Sequence, residues 1–224
     1  MSSVTRTRRT GILGGTLDPI HVGHLDTAEA ARRALALDHV IVMPARVPPH
    51  RQNGPSASTF HRFAMAALAV NHLQGFRVSD CELSADGPSY TALTLERIAQ
   101  SGLAAADLFF ITGADAFAEI ETWYRYPSVL DLANFVVISR PGTPVAALPD
   151  RLPDLKPRMR TDLQPDAQPA VFLVEARTAD VSSSEIRRRL RAGEPIAGMV
   201  PEPVEAHIRR HRLYASAPTT EHSR

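Results

Sequence analysis

Gly14-Gly15-Thr16-Leu17-Asp18-Pro19-Ile20-His21-Val22-Gly23-His24-Leu25 decides the fold. The stretch leaves a short apolar run, Gly11-Ile12-Leu13-Gly14, and enters a segment near 23–37 with helical periodicity. It is therefore a strand-to-helix turn, and an open α/β sheet binds its ligand at such turns, at the carboxyl ends of its strands. Two familiar phosphate loops are excluded, because no Walker A lysine is present and the glycines do not make G-x-G-x-x-G. Instead His21 and His24 stand three residues apart, with Gly23 between them to let backbone approach a ligand closely. If His24 begins the helix, both imidazoles and the helix's unpaired N–H groups face one anion. An exposed histidine pair at a helix start is the plainer alternative. A zinc pair would need a third ligand at a suggestive spacing, and none is apparent.

Working outward, the runs His39–Met43, Leu108–Ile111, Phe135–Ile138 and Val171–Val174 are short, apolar and rich in β-branched or aromatic residues. They read as buried strands, with Phe76–Ser79 a weaker sixth. Helical segments are expected near 23–37, 58–73, 91–101, 115–121, 127–132, 183–192 and 201–211. Alternation of this kind predicts α/β architecture: a doubly wound parallel sheet with helices on both faces and a small C-terminal helical part. A single domain over 1–224 is expected, with an ordered core over about 10–214 and a small polar tail over 215–224. Pro141, Pro144, Pro149, Pro153, Pro157, Pro165 and Pro169 mark 141–169 as a surface excursion.

Composition narrows the function classes. With 25 basic and 24 acidic residues, no bulk field draws the chain to nucleic acid or to a membrane surface. One cysteine, Cys81, excludes a disulfide framework. No apolar run reaches spanning length, and Met1–Thr10 is followed by no apolar signal core, so a cytoplasmic protein is expected.

A second candidate phosphate cradle is Val181-Ser182-Ser183-Ser184-Glu185-Ile186-Arg187, after the last strand and before a helical run. Ser182 and Glu185 have capping-box spacing, so a well-capped helix explains them alone. Three hydroxyls at a helix N-terminus with an arginine in its first turns also describe a polyphosphate site. Arg188 and Arg189 read as solvated face charges.

The first stretch closely resembles the G-G-T-F-D-P-I-H-x-G-H-L signature of the H-x-G-H nucleotidyltransferases, with Leu17 in place of phenylalanine. The second resembles that superfamily's I-S-S-T-x-I-R motif, with Val181 and Ser184 as departures. Three further strings resemble the bacterial nicotinate mononucleotide adenylyltransferases: Pro88–Leu95, Thr112–Asp115 followed by Trp123, and Pro48-Pro49-His50-Arg51. Val200–Tyr214 looks like that family's closing helix, with His207 where tyrosine is usual.

The resemblance implies adenylyl transfer from ATP to nicotinate mononucleotide, giving deamido-NAD and pyrophosphate. His21 and His24 are the implied catalytic pair. Gly14, Gly15, Thr16, Gly23, Gly113, Asp115, Ser183, Ser184 and Arg187 are implied on the ATP side. Thr91, Trp123, His50 and Arg51 are implied on the acceptor side. Each has a plainer reading: Thr91 and Asp115 as helix caps, Trp123 as a core anchor, His50 and Arg51 as incidental loop charge. Mg²⁺ is expected to arrive on the ATP rather than in a protein cage. Adenylyl transfer to nicotinamide mononucleotide or phosphopantetheine, cytidylyl transfer, and a nucleotide-binding regulator without turnover remain open.

Overall fold

The computed structural model describes residues 8–48, 54–163 and 168–215. Seven strands run in chain order as β1 (Thr10–Gly15), β2 (His39–Pro44), β3 (Phe76–Val78), β4 (Leu108–Gly113), β5 (Asn134–Ile138), β6 (Met159–Arg160) and β7 (Val171–Val174). All pairings are parallel, in the order β3-β2-β1-β4-β5-β7-β6. The chain first builds outward from β1 through β2 to β3, then returns to lay β4 on β1's other side. The crevice at this reversal, beyond the strand carboxyl ends, is where such sheets bind ligands.

Alternation along the strands splits the core in two. Leu13, Val40, Val42, Phe109, Ile111, Val136 and Phe172 are buried on one face, against α1 (Val22–Ala34), α2 (Thr59–Val70), α6 (Ser183–Arg191) and α7 (Glu202–Arg210). Ile12, Met43, Leu108, Phe110, Phe135, Val137 and Val171 are buried on the other, against α3 (Thr91–Gln100) and α4 (Ala114–Phe117). Strands covered on both faces are apolar throughout, as the runs predicted.

Three expectations are corrected. The segment predicted as a helix over 115–121 is the four-residue α4 followed by a 3₁₀ turn at Ile120–Thr122, and 127–132 is a 3₁₀ turn at Ser128–Asp131. The Pro-rich stretch, read as a surface excursion, buries Val145, Leu148, Leu152 and Leu155 in the second core, partly through α5 (Leu148–Arg151). It also supplies the edge strand β6. Proline at the first positions of α5 and of the 3₁₀ helix Pro153–Arg158 starts these turns, since those positions need no N–H partner. Residues 164–167 and most of the expected tail lie outside the described residues.

Candidate active site

The β1–α1 turn is built around Asp18. Its carboxylate is fully buried and accepts from Ser56 N at 2.8 Å, Ala57 N at 3.1 Å and the Tyr214 hydroxyl at 2.8 Å. Arg62, also fully buried, donates to the carbonyls of Thr16, Ala45, Arg46 and Ala57. The two side chains hold the turn, the end of β2 and the start of α2 together by satisfying backbone groups that would otherwise be orphaned. Leu17 is buried with φ of 49°, so its side chain packs the core side of the turn.

His21 is the N-cap of α1 and His24 its third residue. The His21 N–H donates to His24 Nδ1 at 3.2 Å, and the two rings touch, tilted by 32° with centroids 3.7 Å apart. Nδ1 of His24 is thereby an acceptor, which places the proton on Nε2. Burial, then Arg140, lowers the His21 pKa to about 3, while burial, then His21 and Arg140, holds His24 well below its ordinary value. Both rings are neutral at pH 7, each with one N–H to donate. The His21 side chain faces the His24 backbone N–H in return, so the two residues make a reciprocal box at the start of α1.

Arg140, just past β5, reaches over the pair: its Nη1 lies 3.4 Å from the Gly23 carbonyl. Its stem crosses Gly113, where a Cβ would lie 3.1 Å from Arg140 Cγ and 2.5 Å from Asp115 Oδ1. A Cβ on Gly23 would lie 3.0 Å from the Ala179 carbonyl and 3.2 Å from His21 Nδ1. A side chain at Gly23 would press on backbone, whereas one at Gly113 would displace the Asp115 and Arg140 side chains. Asp115 is exposed within α4, which is capped by Gly113, so it is not the cap.

α6 points its first turn at the same place. Ser183 Oγ donates to the Pro19 carbonyl at 2.9 Å, and Arg187 donates to the Asp18 carbonyl and to Ser184 Oγ. Ser182 caps Glu185 N at 3.1 Å, but the Glu185 carboxylate turns to Arg188 and Arg189 instead of closing a capping box. Arg188 and Arg189 are thus face charges, and their pull lowers the Glu185 pKa to about 2.

Where β1 leads into the turn opens a cavity of about 540 Å³. Gly14, Gly15 and Thr16 form one wall, and Thr91, Thr94, Phe110, Trp123 and Tyr124 others. Trp123 stands edge-on to Phe110 and Phe135, with centroids 6.0 and 6.3 Å away, and still lines the cavity. Thr91 is the first residue of α3, after the N-cap Tyr90, so it does not cap the helix. The first-turn N–H groups of α3 have no partners within the helix and lie at the cavity wall. Tyr90 stacks on Tyr124 at 4.5 Å. Glu82, almost fully buried, accepts from Thr94 Oγ1 and from Arg97 at 3.2 Å. His50 and Arg51 lie outside the described residues.

The structure thus gathers His21, Gly23, His24, Gly113, Asp115, Ser183, Ser184 and Arg187 around one turn, and Gly14, Gly15, Thr16, Thr91 and Trp123 around the adjoining cavity. Sequence reasoning missed Arg140 and Glu82 and gave no role to Tyr90 or Tyr214. Arg140 follows a strand end, the one local signal that could have marked it.

A doubly wound sheet with a buried, neutral histidine pair at its first turn is the frame of a nucleotide-handling enzyme, and a family model described as cytidylyltransferase-like matches residues 12–189. A protein of Desulfatibacillum aliphaticivorans named "Probable nicotinate-nucleotide adenylyltransferase" is 38% identical over 217 residues, covering 92% of this chain and 99% of its own. Its namesake in Roseiflexus sp. (strain RS-1) is 41% identical over 213 residues, covering 91% and 96%. The chain belongs to the nicotinate-nucleotide adenylyltransferase family within the cytidylyltransferase-like group. Its fold is shared by the Plasmodium falciparum nicotinic acid mononucleotide adenylyltransferase complexed with NaAD, with a TM-score of 0.70 at 18% identity and coverage of 92% and 97%.

Proposed function

We propose that this chain transfers the adenylyl group of ATP to nicotinate mononucleotide, releasing pyrophosphate and forming deamido-NAD. The observation that carries the proposal beyond family membership is the neutral histidine pair, its rings 3.7 Å apart at the β1–α1 turn, with Arg140 reaching the Gly23 carbonyl between them. A 5′-phosphate oxygen of the acceptor attacks the α-phosphorus in line, and the bond to the β-phosphate oxygen breaks. The nucleophile is already anionic, so no general base is needed and catalysis is positioning and charge stabilisation. His24 Nε2–H and the His21 ring donate to the α-phosphate oxygens as charge shifts there. Arg140 adds a fixed positive charge over the same atoms. Ser183, Ser184 and Arg187 hold the departing pyrophosphate, and Gly113 and Asp115 take the nucleoside of ATP.

The cavity takes the acceptor's ring. Trp123 offers a flat apolar surface, and the first-turn N–H groups of α3 can donate to a carboxylate but cannot accept from an amide NH₂. Asp18, the buried carboxylate of the turn, has both oxygens engaged, so the turn itself provides no acidic cage for Mg²⁺. In this reading Mg²⁺ rides on the triphosphate and offsets its charge, while the side chains named here orient the reactants. Among the described residues no helix is long and apolar enough to cross a membrane, and on this reading the enzyme works in the cytoplasm.

The test is pyrophosphate release with ATP or CTP against nicotinate and nicotinamide mononucleotides. Each unmatched donor in the pocket costs about 1–3 kcal/mol, so nicotinate should be preferred at least roughly tenfold in kcat/KM. Equal use of both acceptors overturns the acceptor assignment, and preference for CTP overturns the donor.

A further inference from the structure

Past α7 the chain bends back toward the catalytic turn through two residues that are not glycine yet lie in the left-handed region, Arg212 at φ 50° and Tyr214 at φ 65°. A bulky residue keeps such a backbone only where its surroundings fix it. The Leu213 N–H donates to the Ile208 carbonyl at 3.0 Å, and the Leu213 and Tyr214 side chains pack against the same core as α2 and α7. The Tyr214 hydroxyl then donates to Asp18 Oδ1 at 2.8 Å, across 196 residues. Burial, then Asp18's charge, pushes the Tyr214 pKa up, so the hydroxyl keeps the proton it donates. Asp18 follows Leu17, itself left-handed at φ 49°, so the bond joins two constrained stretches of backbone.

The two oxygens of Asp18 face different partners. Oδ1 accepts from Ala57 N and from Tyr214, whereas Oδ2 accepts from Ser56 N and lies 3.8 Å from Arg187 Nη1. That last distance is too long for a hydrogen bond, but charge still acts across it. The Asp18 side chain is fully buried and that of Arg187 is 11% exposed, so solvent screens the attraction little. Arg187 also donates to the Asp18 carbonyl and, at 3.2 Å, to Ser184 Oγ in the first turn of α6. Each hydrogen bond that the carboxylate accepts from elsewhere spreads its charge and loosens its hold on Arg187. Ser56 and Ala57 donate from the backbone, whereas the bond from Tyr214 depends on its side chain.

We propose that Tyr214 is a positioning residue for the polyphosphate: by pinning Asp18 it keeps Arg187 directed at Ser184 and the phosphates instead of drawn onto the Asp18 carboxylate. In the proposed function Arg187 holds the departing pyrophosphate, and this role for Tyr214 rests on that reading. The end of the chain thereby belongs to the active site, acting through Asp18 and Arg187.

ATP with Mg²⁺ and no acceptor is titrated calorimetrically into the full chain as wild type, Tyr214→Phe, Arg187→Ala and the double variant, with thermal unfolding to show that each is folded. Tyr214→Phe keeps the ring in the core and removes one hydrogen bond to a charged group, so ATP affinity should fall roughly tenfold. The KM for nicotinate mononucleotide should stay within about twofold, the spread of independent sites. In the Arg187→Ala background the same change should cost less than about twofold, because residues that act through one group are not additive. Unchanged ATP affinity in Tyr214→Phe, an equal loss for the mononucleotide, or the same loss repeated in the Arg187→Ala background would each overturn the role of Tyr214 and leave the proposed function in place. Failure of wild type to bind ATP would overturn both together.

Discussion

Lowering the pH tests the neutrality of the histidine pair. His21 is 2% exposed, and burial followed by Arg140's charge sets its pKa at about 3, against about 6.5 in the unfolded chain. Between those values the native state binds fewer protons than the unfolded state, so stability present above pH 6.5 is lost as the pH falls toward 3. At pH 5 the unfolded imidazole is about 1.5 pH units below its pKa while the native ring is still neutral. At about 1.36 kcal/mol per unit, His21 alone lowers stability by about 2 kcal/mol relative to pH 7.5. That corresponds to roughly 4–8 °C in Tm for a chain of this size. The figure barely depends on the folded pKa, provided it stays well below 5. His24 is shifted the same way and persists in a His21→Asn variant, so the difference between the two proteins isolates His21. Urea denaturation of wild type and His21→Asn at pH 7.5 and 5 should show wild type losing about 2 kcal/mol more. The same pH dependence in both proteins would refute a buried, neutral His21.

Arg187→Ala should raise KM for ATP far more than for the mononucleotide in steady-state assays, and Arg187→Lys should restore only part, because an ammonium cannot reach both the Asp18 carbonyl and Ser184 as the fork does. Trp123→Ala should lower kcat/KM for nicotinate and nicotinamide mononucleotides in similar proportion, since stacking does not distinguish the ring substituents; a changed ratio would place Trp123 at the carboxylate instead. Gly113→Ala puts a methyl against Asp115 and Arg140, both side chains able to move, so ATP affinity should fall severalfold while Tm changes by only a few degrees. A large loss of Tm with unchanged ATP affinity would count against that assignment.

What could be read along the chain is what short-range physics controls. Strands β1, β2, β4, β5 and β7 stood out because a strand covered on both faces must be apolar and stiff. The β1–α1 turn was legible because its glycines, Asp18, Pro19 and two histidines are contiguous, and α6 because Ser182 caps it within three residues. The helices expected at 115–121 and 127–132 failed for the same reason in reverse: segments so short form only the turns that the surrounding core permits. The Pro-rich stretch lacked any periodicity, and only the second core revealed what its four buried side chains pack against. The electrostatic state of the site was equally invisible. Arg140 meets Gly23 across 117 residues and Tyr214 meets Asp18 across 196, contacts that no local pattern announces. His21 and His24 could be picked out by type and spacing, but their neutrality belongs to the packed molecule. Desolvation is the largest cause of both shifts, and it exists only once sheet, helices and Arg140 have closed around the rings.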